Sequence, residues 1–202
     1  MDKNVQDWNA IWTAIGAVGQ YLGAFGTIAI VVYTVWSESW RRPKLILSFD
    51  DKRDVKSQIN SVGLPPSVRS RCLRVRVKNA NRRKAAKNCQ AFLIGIEKLG
   101  SEAGNEDVFP NDVRQLGWMH DPPGTMKARD LLPGVDHWVD VVAAIDGEPA
   151  LRVCVSPSWS LANPGDYVFT VQVSAEDANP EVIKVRVRWD GTWHSLHGLK
   201  VS

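Results

Sequence analysis

The hydrophobic pattern divides this chain in two. From Trp8 to Ser37 thirty consecutive residues carry no charge, whereas from Lys44 onward apolar and polar residues alternate in short runs broken by glycine and proline. A helix rising about 1.5 Å per residue needs about 20 apolar residues to cross a hydrocarbon core of about 30 Å. Trp12 to Trp36 supplies about 36 Å at that rise, so the first stretch predicts one membrane-spanning helix. Trp8 and Trp12 at one end, with Tyr33, Trp36 and Trp40 at the other, are amphipathic rings of the kind that settle at the two bilayer interfaces. A buried helix of a soluble domain would be shorter and show a polar face. A cleaved signal peptide would pair a shorter apolar region with a basic leader, and here the leader carries Asp2 and Asp7.

Inside the run, Thr13, Gly16, Gln20, Gly23, Thr27, Ile30 and Thr34 recur at steps of three and four. They share one helix face, with Gly19 and Gly26 beside them. Small residues let helix backbones approach closely, as in the Gly19-xxx-Gly23 spacing, and a mid-membrane Gln20 gains from a hydrogen-bond partner on another helix. Self-association through this seam is expected, or packing on the helix of a partner membrane protein. The plainer reading is that glycine and threonine are common in membrane helices. A pore wall is a further reading of the same stripe, but the helix has neither a charged ring nor a filter sequence.

The flanks set the orientation. Arg41, Arg42 and Lys44 follow the apolar run and only Lys3 and the α-amino group precede it, and basic residues stay on the cytoplasmic side. The expected arrangement is a single-pass protein of the cell's inner membrane. Residues 1–7 form a short extracytoplasmic end, 8–42 the helix with its juxtamembrane extension, and 43–202 a cytoplasmic domain. Pro43 ends the helix, because it lacks an N–H and disfavours the α conformation at Arg42. Arg41, Arg42 and Lys44 then lie within reach of anionic lipid headgroups. In architecture this resembles bacterial single-pass proteins that carry a small cytoplasmic β-sandwich below an N-terminal helix.

Beyond Lys44 the period becomes strand-like. Strands are predicted over 44–49, 73–78, 88–98, 114–118, 135–145, 151–156, 166–175 and 182–190. Pro122-Pro123-Gly124, Pro133-Gly134, Asp146-Gly147, Pro164-Gly165 and Asp190-Gly191 punctuate them. Eight strands without a convincing helix predict an all-β domain, an antiparallel β-sandwich of immunoglobulin-like architecture, with a barrel as the alternative. Tyr167, Phe169, Val171 and Val173 form one expected inward face, and Ile183, Val185, Val187 and Trp189 another.

Charge changes the picture in one region. The net charge is only +3, yet the nine charged residues from Arg69 to Lys87 are all basic. Arg74, Arg76, Lys78, Arg82, Arg83 and Lys84 within this run, with Arg41, Arg42 and Lys44, are candidates for an anionic ligand or lipid. Lys184, Arg186 and Arg188 line the outer face of a late strand. Outward cations also keep sheet edges soluble, and acids elsewhere can neutralise them. No aromatic residue interleaves with the basic run, which argues against nucleic acid.

Catalytic chemistry has no signature here: there is no Gly-rich phosphate loop and no Gly-x-Ser-x-Gly elbow. No catalytic residue, metal or cofactor is assigned. His194 and His197 with Asp190 lack a visible further ligand, and Cys72, Cys89 and Cys154 are scattered, as in a reducing compartment. The function expected is a membrane-anchored, homo-oligomeric binding or sensor module whose cytoplasmic β-sandwich binds a partner or an anionic ligand and which acts on the membrane. A structural accessory subunit of a larger membrane complex is the alternative. Within the domain, the loop 100–112 and the segment 118–127 with His120 are the first places to look for a recognition surface.

Overall fold

A computed structural model of the chain describes residues 3–59, 68–81, 83–101, 104–109, 112–119, 121 and 126–201. Its contacts fall into two units, Met1–Arg42 and Pro43–Ser202. The first unit is one helix, α1 (Lys3–Arg41), of 39 residues. Within it Trp12–Glu38 is long and apolar enough to cross a membrane. Helical bonding persists to Arg42, whose N–H donates to the Glu38 carbonyl at 3.1 Å. Pro43 then stops it, having no N–H to continue the series.

The second unit consists of two antiparallel sheets. One contains β1 (Leu45–Ser48), β2 (Val55–Ile59), β3 (Arg69–Asn79), β8 (Asp136–Ile145), β9 (Leu151–Val153) and β10 (Trp159–Leu161), in the order β1-β3-β8-β9-β10 with β2 also on β3. The other contains β4 (Ala86–Ser101), β5 (Gly104–Asp107), β6 (Arg114–Leu116), β7 (Arg129–Leu131), β11 (Gly165–Ala175), β12 (Ala178–Trp189) and β13 (His197–Val201). Its order is β13-β12-β11-β4-β5, with β6 and β7 also on β4. A one-turn helix, α2 (Asp51–Asp54), links β1 to β2, and a 3-10 turn at Trp193–Ser195 precedes β13.

The inward faces follow the period-two pattern. All eight residues expected to point inward, Tyr167 to Val173 and Ile183 to Trp189 in alternation, are at most 4% exposed. They pack with Leu73, Val75, Val77 and Val139 of the facing sheet into one core. The β1, β3, β4, β6, β8, β9, β11 and β12 strands correspond to the eight expected ones. Sequence reading missed β2, β5, β7, β10 and β13, each of three to five residues. They are too short to show a period, and β5 (Gly-Asn-Glu-Asp) has no apolar residue, so pairing to a neighbour defines them as strands. Helix α2 is also an addition. Asp50 caps it by accepting from the Lys52 N–H, and the buried Asp54 ties it down by accepting from Asp50 N–H at 2.8 Å and Trp138 Nε1 at 3.1 Å.

The two sheets are joined along one side. The chain leaving β6 crosses over there, and bridges form between Leu116 and Val155 and between Trp118 and Val139. On the other side α2 covers part of the seam, its Asp51 accepting from the Gly198 N–H of β13 at 2.9 Å. Where β1 faces β12, no backbone pairing closes the seam among the described residues.

Candidate functional site

The helix seam is open along its described length. Thr13, Gly16, Gly19, Gln20, Gly23, Gly26, Thr27 and Thr34 are all exposed. A Cβ built on any of the four glycines would meet nothing within 4 Å. The threonines do not all demand outside partners: Thr27 Oγ1 donates to the Gly23 carbonyl at 2.9 Å and Thr34 Oγ1 to the Ile30 carbonyl at 2.8 Å. These bonds hide the hydroxyls and leave a groove of methyl groups and bare backbone. Gln20 differs, for its amide makes no side-chain hydrogen bond among the described residues.

Several of the basic residues are paired with acids. Alternation puts Arg74, Arg76 and Lys78 on the side of β3 away from the core, but each meets an acid across the ladder to β8. Arg74 Nε donates to Asp140 Oδ1 at 2.6 Å, and Arg76 and Lys78 both reach Asp136, at 3.7 and 3.8 Å. Arg74 is itself buried. Lys84 pairs with Asp177 at 3.0 Å. Arg83 is exposed, as are Arg42 and Lys44, while Arg82 and the side chain of Arg41 lie outside the described residues. On β12, Lys184 reaches Glu97 at 3.4 Å, and Arg186 and Arg188 both bind Asp166, at 2.6 and 2.9 Å. Sequence separation hid these pairings, because the acids lie 20 or more residues away in the chain.

These pairs make stability depend on pH. The Arg188 hydrogen bond, with that of Arg186, holds Asp166 below the usual carboxylate range against the opposing effect of partial burial. Burial pushes Asp177 up, but the Lys87 N–H and the Lys84 ammonium outweigh it and the net shift is down. Hydrogen bonds from Ser195 and Thr192 bring Asp190 down to about 2. A carboxyl with a lower pKa folded than unfolded stabilises the fold above its unfolded value of about 3.9 and loses that contribution as pH falls through its folded value. The urea midpoint of the β domain is therefore expected to be level above about pH 5 and to fall steadily towards pH 3. A midpoint unchanged over that interval would contradict these shifts.

Other candidate groups are occupied separately. His194 sits edge-on to Trp193 at 6.0 Å, His197 Nδ1 lies 3.6 Å from Asp51, and Asp190 accepts from the Thr192 hydroxyl at 2.7 Å, so these three do not converge. Burial pushes the Cys72 thiol up to about 11, Cys89 up to about 12 and Cys154 well upward, which keeps them protonated and poorly nucleophilic at neutral pH.

One polar cluster joins the segment 118–127, singled out from the sequence, to Arg129 and His137, which were not. Trp118 lies 6.4 Å from His137 in edge contact, Arg129 stands 6.0 Å over the Trp118 ring, and Arg129 donates to Asp121 at 2.6 Å. Trp118 Nε1, His137 Nε2 and Asp121 Oδ2 are buried without a hydrogen-bond partner among the described residues. Burial, with Arg129 nearby, lowers the His137 pKa. The neighbouring His120 and Pro122-Pro123-Gly124 lie outside the described residues, as do Glu102 and other parts of the loop 100–112. Compared with protein-family models, curated proteins and solved structures, the chain matches none of them.

Proposed function

We propose that this chain is a single-pass protein of the inner (cytoplasmic) membrane, with its N-terminus outside. Its cytoplasmic β-sandwich is a binding module for a partner or an anionic ligand, and the helix seam assembles it into a homo-oligomer. The carrying observation is the exposure of α1. Thirteen large apolar side chains between Trp12 and Trp36 are each more than half exposed, and transfer of each from water is worth about 1.5–3 kcal/mol. That sums to tens of kcal/mol, more than association of two such helices in water would recover, so a bilayer is the fitting environment. The positive flank of Arg41, Arg42 and Lys44 supports the orientation. Protease added from outside should leave the β domain intact; digestion of that domain would reverse the orientation.

The immunoglobulin-like reading of the sandwich is supported by a corner at the start of β11, where the Tyr167 hydroxyl donates to the Asn163 carbonyl across Pro164 and Gly165. Assembly is supported by the open glycine groove and by Gln20, whose amide in hydrocarbon gains from a second helix. An interhelical hydrogen bond there contributes about 0.6–2 kcal/mol. Gln20→Leu or Gly23→Ile is thus expected to shift full-length protein in mild detergent from an oligomer towards monomer, read as mass by light scattering. A monomeric wild type, or variants of unchanged mass, would remove self-association and favour an accessory subunit that needs a partner's helix.

A further inference from the structure

The open part of the seam, where β1 faces β12, forms a cleft of ≈ 550 Å³. Its wall contains Lys44 just before β1, Ile46 from β1, Val182 and Lys184 from β12, and Lys200 and Val201 from β13. Among the described residues, β13 pairs with Lys184 to Arg188 of β12, beside this cleft. Two kinds of surface meet in it. Ile46, Val182 and Val201 are 42%, 50% and 36% exposed, a cluster of branched apolar side chains left in water. Around them stand three lysines against one acid, Glu181. Lys184 is shared with Glu97, while Lys44 and Lys200 have no acidic group within ion-pair distance among the described residues.

We propose that this cleft seats an anionic lipid of the bilayer that holds the helix, its phosphate between Lys44 and Lys200 and the start of its acyl chains on Ile46, Val182 and Val201. This rests on the reading of α1 as a membrane anchor. Charge selects the ligand class, since a pair of ammonium groups with no acid in ion-pair distance among the described residues, beside exposed apolar side chains, matches an amphiphile with an anionic head. Chain length selects the source. Lys44 is the third residue after Arg41, the end of the helix, and three residues span at most about 10 Å. The first residue of the cleft wall is thus tethered at the membrane surface, where anionic lipid is concentrated and a soluble phosphate is not.

The test is lysine footprinting of the full-length chain in nanodiscs made of phosphatidylcholine alone or with phosphatidylglycerol. N-hydroxysuccinimide acetate is the label, and modification is read by mass spectrometry. One lysine near an anionic surface contributes a factor of about five in association. Labelling of Lys44 and Lys200 is therefore expected to fall about fivefold in anionic discs relative to Lys56 and Lys127, exposed lysines that do not line the cleft. In the Lys44→Gln/Lys200→Gln variant, Lys184 should lose its dependence on lipid composition. Equal labelling of the cleft lysines in both discs overturns the proposal, and a second copy or a protein segment seated in the cleft would give that result. Protection by millimolar inorganic phosphate in phosphatidylcholine discs, equal to that from phosphatidylglycerol, overturns the lipid assignment in favour of a free anion. A chain that fails to enter the discs refutes the anchor itself, whereas a chain that enters and labels equally refutes the cleft alone.

Discussion

Replacing Asp140 with alanine is expected to destabilise the β domain by about 3 kcal/mol, the lower end for breaking a buried ion pair. Arg74 is only 6% exposed, and its Nε donates to Asp140 Oδ1 at 2.6 Å. Without that carboxylate a guanidinium remains in the covered outer layer of the sheet, too short of water to be solvated and unable to deprotonate. The side chain of Asp140 is 27% exposed, so some water can enter the vacancy, which places the loss at the lower end of the range. The pair depends on a bulge. Leu73 opposes Val142 and Arg74 opposes Asp140, which leaves Val141 of β8 as the extra residue and brings the acid into register with the arginine. The double replacement Arg74→Met/Asp140→Ala removes the charge as well as its partner and should recover most of the loss. Urea midpoints of the four proteins in this cycle decide the matter. A double variant no more stable than Asp140→Ala alone would show that the cost was packing and not an uncompensated charge.

The Gly198→Ala change should cost about as much, although it adds a single methyl group. A Cβ at that position would lie 2.4 Å from Phe49 Cζ and 2.7 Å from Leu73 Cδ1. Both neighbours are buried, and a phenyl ring in the core has no flexible end to swing aside. Strand β13 lies this close because the Gly198 N–H donates to Asp51 Oδ1 at 2.9 Å, tying it to α2. Relief would require shifting β13 from its ladder on β12 or breaking the α2 contact. Overpacking of this kind costs about 1–3 kcal/mol, and a contact with a buried ring on one side and a buried leucine methyl on the other belongs at the top of that range. Thermal unfolding should register a lower midpoint. Restoration by Phe49→Leu in the Gly198→Ala background would identify the ring as the obstacle, whereas a wild-type midpoint in Gly198→Ala would mean that the strand yields without cost.

The features readable from sequence were those set by local periodicity. An uncharged run of thirty residues determines a helix long enough to span a bilayer, because rise per residue is a local quantity. Strict alternation in Tyr167–Val173 and Ile183–Trp189 determined which side chains enter the core, because successive strand residues point to opposite faces whatever the partner strand. Those elements bury enough apolar surface to overrule weak local preferences. The basic run on β3 illustrates the opposite case. Nine cations with no acid among them look like a polyanion surface until the fold sets Asp136, Asp140 and Asp177 against four of them. Strand register decides that match, and register is a long-range property that residue spacing does not encode.

Tertiary structure alone likewise decided the short strands β2, β5, β7, β10 and β13, which exist through hydrogen bonds to a neighbouring strand. It decided too that the sandwich is bridged on the Trp118 side and open between β1 and β12. Lys44 was visible from the start as a charge beside a membrane helix. Its company, Lys184 and Lys200, comes from the last two strands and lines the same cleft. Composition supplies the charges and apolar side chains, but the pairing of distant strands, with the gaps it leaves, determines which of them are neutralised and which share a cleft.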